Sequence, residues 1–153
     1  MSLKNKTALI TGISGQDGAY LSAQLLALGY TVVGLVRGNN SLGIHGLQYL
    51  KIENRVVIVE CDLLDISQII KILIQYKPDE IYNLAAQSSV SQSFQQPIGT
   101  FQFNTLSVYN LLEAIKLVNN EIRFYQASSS EMYGKVVNLP ITESSLLHPL
   151  SPY

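Results

Sequence analysis

Three glycines constrain this chain more than anything else in it: Gly12, Gly15 and Gly18 follow at once on an unbroken apolar run, Thr7–Thr11 (TALIT), and open a helical pattern. A glycine triplet by itself is a weak signal. Between a buried strand and a helix it has a physical reading, because glycine lets the backbone approach a pyrophosphate whose charge meets the helix N-terminus. The competing role is structural, a tight turn that lets helix pack on strand. On the first reading the candidate pyrophosphate-binding residues are Gly12, Ser14, Gly15, Gln16, Asp17 and Gly18.

Beyond the glycines, short β-branched runs alternate with longer helical patterns, the mark of a parallel sheet covered by crossover helices. Tyr20, Leu21, Leu25 and Leu28 recur at helical spacing from Gln16 to Leu28, and Gly29 ends that helix. Thr31–Val36 and Val56–Glu60 read as the second and third strands, with a polar loop over 37–46 between them. A helix over Ile66–Gln75 stops before Pro78, and Glu80–Leu84 is the fourth strand. Pro97 opens a long helix to about Leu117, and Arg123–Ala127 is the fifth strand. Each strand run is unbroken, which predicts burial on both faces. From Gly134 onward, Pro140, Pro149 and Pro152 with no periodicity predict loop. The fold class is therefore α/β, a doubly wound parallel sheet, and 153 residues suffice for one sizeable core in a single domain over 1–153.

Charge narrows the partners. Ten Lys and Arg against eleven Asp and Glu leave a formal net charge of −1, with no surplus for gripping nucleic acid or an anionic membrane. A small molecule is the expected partner. Cys61 is the single cysteine and can form no internal disulfide. No apolar run approaches the roughly 20 residues of a membrane helix, and residues 1–20 do not read as a signal peptide, so the cytoplasm is the expected compartment.

The second strand bears on the cofactor. An acid near its end would accept hydrogen bonds from a ribose 2′-hydroxyl and repel a 2′-phosphate. No acid is there; Gly34, Leu35 and Val36 run into Arg37, a cation placed to pair with phosphate, so NADP is favoured over NAD. The bland alternative for Arg37 is a solvated loop arginine. Asp62, after the third strand, is placed to accept the adenine amino group with the Leu63 amide beside it. A helix cap is its other role, though Asp65 and Ser67 stand closer to the next helix. Ligands of a doubly wound sheet sit beyond the carboxyl ends of its strands. Leu84 at the end of the fourth strand, and Ala85, Ala86, Gln87 and Ser88 after it, would let the nicotinamide half of the cofactor lie close to the backbone. After the fifth come Ser128, Ser129, Ser130 and Glu131, and Tyr153 stands 24 residues past Ser129. A serine and a tyrosine so spaced suggest hydride-transfer chemistry, the serine orienting a substrate alcohol and the tyrosine removing its proton.

Four stretches, ALITGISGQDGAYL, EIYNLAAQSSV, FYQASSSEMYG and the closing SPY, resemble successive motifs of the GDP-mannose 4,6-dehydratase group within the extended short-chain dehydrogenase/reductase family. The resemblance covers nearly the whole chain; Gln16-Asp17-Gly18 and Ser130-Glu131-Met132-Tyr133-Gly134 are more distinctive than the glycines. It implies a Rossmann-type NADP-binding domain, the N-terminal portion of such an enzyme, with GDP-mannose as the nucleotide-sugar substrate. It also implies a homo-oligomer with the 37–48 loop as a contact. Tyr153 and Ser129 would assist oxidation at sugar C4 while NADP takes the hydride. Glu131 would then remove the C5 proton, water would leave from C6, and the hydride would return there. Glu131 as a solvated loop acid is the alternative. A nucleotide-sugar 4-epimerase or 4-keto reductase on the same scaffold is the runner-up among enzymes, the epimerase having no use for that carboxylate, and a non-catalytic NADP-binding fragment is the reading from outside enzymes. Relatives carry a lysine four residues after the tyrosine and a further substrate region. No residue follows Tyr153 here, so the expectation is a catalytically incomplete chain with an unpaired sheet edge. Ser129 stands where threonine is common, and Gly38, Asn39 and Asn40 where a second arginine and two serines are. Leu150 replaces a usual arginine, Ser107 and Val108 replace Gly-Thr, and Asn104 matches a usual asparagine.

Overall fold

An uncharged pentapeptide such as TALIT is stable as a strand where both sheet faces are covered. Thr7–Thr11 accordingly forms the central strand β1, with Ala8, Leu9, Ile10 and Thr11 at most 1% exposed. The computed structural model describes residues 6–38, 43–136 and 139–153, so Asn39 and Asn40 of the expected polar loop lie outside the described residues. β1 pairs in parallel with β2 (Thr31–Val36) on one side and β4 (Glu80–Asn83) on the other. β3 (Val56–Glu60) flanks β2 and β5 (Arg123–Gln126) flanks β4, giving the order β3-β2-β1-β4-β5. Thr11 lies opposite Leu35 in β2 and Asn83 in β4. The chain thus builds outward from β1 to one side and then crosses to the other, which leaves a crevice at the carboxyl ends between β1 and β4.

The period-2 alternation of the strands deals side chains to two apolar layers. Leu9, Val33 and Ile81 pack with Ile69 and Leu73 of α3 (Ile66–Tyr76) and with Leu111 and Ala114 of α6 (Ser107–Val118). Ala8, Ile10 and Val32 pack with Ala19, Leu25 and Leu26 of α1 (Gln16–Ala27) and with Leu47 of the short α2 (His45–Tyr49). Helices on both faces of an all-parallel sheet are the α/β architecture expected from the alternating runs.

Several local expectations are corrected. β3 is an edge strand, so its apolar run is not buried on both faces: Val57 and Ile58 are 41% and 37% exposed. β5, the other edge, leaves Tyr125 exposed. α2 lies partly in the segment expected to be loop, and α4 (Val90–Gln95) was not expected; Ser89 caps it, its hydroxyl accepting from the Gln92 amide at 3.2 Å. The long helix begins at Pro97 as expected, but as α5 (Pro97–Phe101), a π-turn over Gln102–Leu106 and then α6. β4 ends at Asn83 and not Leu84, because the Leu84 and Ala85 amides turn away to the Thr11 hydroxyl.

A charge cluster closes the amino end of the sheet. Glu80 is buried and accepts from the Tyr82 hydroxyl at 2.8 Å, from Lys6 and the Tyr30 hydroxyl at 3.3 Å, and from Arg123. Burial raises a carboxyl's pKa, but the Tyr82 hydrogen bond and the two cations outweigh it and hold Glu80 below its ordinary value. Burial and the neighbouring carboxylate push the Tyr82 hydroxyl up to about 12. Since the folded pKa of Glu80 lies below an unfolded value of about 4.3, its stabilisation is present above that pH and lost as pH falls through the folded pKa. Glu80→Gln is expected to cost about 1–3 kcal/mol near neutral pH. In urea unfolding the cost measured near neutral pH should shrink once the pH has fallen below the lowered folded pKa of Glu80. A penalty of equal size at both pH values would mean that the carboxylate charge is irrelevant.

Candidate functional site

The turn after β1 is shaped by what glycine alone permits. Gly12 has φ +68°, and a Cβ there would lie 2.9 Å from the Ala85 nitrogen and the Leu84 carbonyl carbon, so this turn rests directly on the loop after β4. Gly18 is buried in the first turn of α1, where a Cβ would come within 2.6 Å of the Gly12 oxygen and the Ile13 Cα. Helix α1 therefore meets the turn at backbone distance. It starts from Gly15 in extended backbone with no side-chain cap, which leaves first-turn amides available to an anion.

The loop after β4 is fixed by a buried polar network. Thr11 and Asn83, both 0% exposed, end β1 and β4 side by side, and the Thr11 hydroxyl donates to the Asn83 side-chain oxygen. The same Thr11 oxygen accepts from the Leu84 and Ala85 amides at 3.1 and 3.0 Å, and the Asn83 side-chain nitrogen donates to Gln126 on β5 at 2.7 Å. Farther along, the Gln87 amide donates to Asn104 Oδ1 at 2.8 Å, while Asn104 Nδ2 donates back to the Gln87 carbonyl at 3.2 Å. The loop is thereby clasped to β1 at one end and to the π-turn at the other. Sequence reasoning passed over Thr11, Asn83 and Gln126; the available signal was a polar residue closing each of three strands, β1, β4 and β5.

Between these walls lies a cleft of about 800 Å³ at the carboxyl edge of the sheet. Of the residues expected to hold a cofactor, Gly12, Ser14, Gly15, Arg37, Leu63, Leu84, Ala85, Ala86 and Ser88 line it. Gln16, Asp17, Gly18 and Asp62 do not. Gln16 and Asp17 are exposed on the first turn of α1, and Gly18 is buried beneath it. Asp62 folds onto its own backbone, Oδ1 accepting from the Leu64 amide at 3.0 Å, and the cap of α3 is Asp65, which accepts from the Ser67 amide at 2.9 Å. Arg37 is exposed at the end of β2, with its guanidinium carbon 5.6 Å from the centre of the Phe103 ring on the opposite wall. Cys61 also lines the cleft; burial, aided by the charges of Asp62 and Asp65, pushes its thiol up to about 11, so it stays protonated at neutral pH.

The three candidate catalytic residues lie outside that lining. Ser129 caps the 3-10 turn Ser130–Tyr133, its hydroxyl oxygen accepting from the Glu131 amide at 3.0 Å, which leaves its proton free to donate elsewhere. Glu131 is exposed and Tyr153 half-buried. The segment leading to Tyr153 folds back over this turn: the His148 amide donates to the Met132 carbonyl at 2.9 Å, and a Cβ on Gly134 would overlap the His148 carbonyl oxygen.

Comparison with known proteins agrees with this fold. The sequence profile of the family described as GDP-mannose 4,6 dehydratase matches residues 9–153. The GDP-mannose 4,6-dehydratase of Vibrio cholerae is 43% identical over 155 residues, covering 97% of this chain and 42% of that protein. The human GDP-mannose 4,6 dehydratase is 41% identical over 161 residues, covering 100% and 43%. The chain thus spans less than half the length of the curated relatives it matches. Among solved structures, the UDP-Glc/GlcNAc 4-epimerase of Campylobacter jejuni superposes with a TM-score of 0.85 at 27% identity, over 97% of this chain and 45% of that one. The UDP-glucose 4-epimerase of Bifidobacterium longum, solved with NAD+ and UDP, gives 0.84 at 26% identity, over 97% and 44%. With a Rossmann-type sheet, a glycine cradle at its switch point and a family match over nearly its whole length, the chain belongs to the GDP-mannose 4,6-dehydratase family.

Proposed function

We propose that this chain forms the NADP-binding part of an enzyme that converts GDP-mannose to GDP-4-keto-6-deoxymannose. The observation that carries the reading is the opening of the Gly12 turn, the Thr11-fixed Leu84–Ala85 loop and Arg37 onto one cleft. These residues fit a dinucleotide. The Gly12 and Gly15 backbone would admit the pyrophosphate, with Ser14, Gln16, Asp17 and Gly18 completing the turn around it. Asp62 and Leu63 would meet the adenine, and Leu84, Ala85, Ala86 and Ser88 the nicotinamide half. The acid-free end of β2 and its Arg37 favour NADP over NAD, since a guanidinium pairs with a 2′-phosphate. NADP, if held there, would supply reversible hydride-transfer chemistry to the sugar.

The chemistry we assign to the protein is proton transfer. Ser129 donates its free hydroxyl proton as a hydrogen bond to the C4 oxygen, and Tyr153 takes the proton of that alcohol. Glu131 takes the C5 proton once a C4 ketone has made it acidic and hands it to the C6 hydroxyl, which leaves as water, and the proton held by Tyr153 is available to return to C5 as C6 is reduced. An epimerase needs no base at Glu131, although the 4-epimerases named above share the fold. Identity of 41–43% to dehydratases against 26–27% to those epimerases favours dehydration. We also propose a homo-oligomer. Ile98, Phe101, Tyr109 and Leu112 lie exposed along the helical run from α5 to α6, an apolar stripe that a second subunit would cover. No helix among the described residues is long and apolar enough to cross a membrane.

The direct test is to incubate the protein that carries this chain with GDP-mannose and NADP and read the product by NMR. A 4-keto-6-deoxy sugar nucleotide is the expected product. Recovery of a C4 epimer alone would overturn the assignment.

A further inference from the structure

Arg37 makes no ion pair among the described residues; its guanidinium is held instead over the Phe103 ring, 5.6 Å from its centre. Phe103 reaches that position from an unusual stretch of backbone. It belongs to the π-turn Gln102–Leu106, whose extra residue per turn resets the helix register between α5 and α6, and such turns frequently mark functional sites. The next residue, Asn104, ties the π-turn to the Gln87 backbone, so the ring is mounted on a wall that is itself anchored. The same wall carries unmet polar groups that face no protein partner. Thr100 is 1% exposed with its hydroxyl unpaired, the Gln87 side-chain oxygen is buried and unpaired, and both residues line the cleft.

We propose that Phe103 is a specificity-determining residue that favours a 2′-phosphorylated dinucleotide by holding Arg37 at the cleft mouth. The proposal rests on the dinucleotide reading of the cleft and adds to it a residue that makes no contact with the phosphate. An exposed arginine samples many rotamers, and fixing it on binding costs entropy. A ring that already carries the guanidinium removes part of that cost. The benefit falls only on a ligand whose phosphate the guanidinium meets, because a 2′-hydroxyl gains nothing from a prepositioned cation.

The test compares NADP and NAD binding by isothermal titration calorimetry on the protein that carries this chain, in wild type, Phe103→Leu, Phe103→Tyr, Arg37→Ala and the Phe103→Leu/Arg37→Ala double variant. Leucine keeps an apolar side chain of similar bulk and removes the ring, while tyrosine keeps a ring face and controls for packing damage. Phe103→Leu is expected to weaken NADP about two- to five-fold and to leave NAD within error, the scale of an exposed cation–π contact. Phe103→Tyr should restore wild-type discrimination, and Phe103→Leu should add nothing once Arg37 is alanine. Equal weakening of both dinucleotides, or additive losses in the double variant, would overturn the role of Phe103 while leaving the dinucleotide reading intact. A wild-type protein that binds neither ligand would overturn that reading and this proposal with it.

Discussion

Gly18→Val should abolish most dinucleotide binding and weaken the fold at once. The position has no room, since a Cβ would sit 2.6 Å from the Gly12 oxygen and the Ile13 Cα, and both are backbone atoms that cannot rotate aside. The helix must therefore move off the turn. Overpacking of this kind costs about 1–3 kcal/mol in unfolding free energy, and the upper end is expected where the obstacle is main chain. Binding suffers separately, because the first-turn amides of α1 move with the helix. Each charge-assisted hydrogen bond displaced from a pyrophosphate costs about 1.5–3 kcal/mol, or more than about tenfold in affinity. Gly18→Ala should act in the same direction to a smaller extent. Urea unfolding and calorimetric titration with NADP read the two effects independently. Wild-type affinity in the valine variant would show that the α1 terminus does not hold the ligand.

Glu131→Gln carries the largest expected effect on turnover. Glutamine keeps the size and hydrogen-bonding reach of glutamate but cannot accept the C5 proton, so dehydration of GDP-mannose should slow by about 10²–10⁴-fold. The affinity for NADP should not change, because Glu131 is exposed and lies outside the cleft lining. Exchange of the C5 hydrogen with deuterated solvent should fall along with turnover, which separates loss of the base from slow product release. An unchanged dehydration rate would return Glu131 to the role of a solvated loop acid.

How much of this was legible in the sequence follows from how local each cause is. β1, β2 and β3 are read to the residue because each apolar run is bounded by residues that break it. β4 ends early for a reason no local pattern contains, the capture of its next amides by Thr11, whose partner Asn83 is 72 positions away. The edge position of β3 is a property of topology, and its exposed Val57 and Ile58 look in sequence like core residues. α2 and α4 escaped notice because they are short and mixed in polarity, the one anchored by buried Leu47 and the other set by the Ser89 cap. The glycine cradle was visible because its residues are adjacent in sequence. Phe103 was not, because only the folded chain brings the π-turn across from the end of β2.

The close approach of Gly134 to the His148 carbonyl bears on how the serine turn and the terminal tyrosine are kept in register. The two segments meet main chain to main chain, through the His148 amide and the Met132 carbonyl, while Leu139, Leu146 and Leu147 in the excursion between them are exposed. Their separation is thus carried by a contact at the neck of a loop and not by the length of the loop. Gain or loss of residues across 139–147 leaves that neck contact in place, whereas one methyl group at position 134 would force the neck apart.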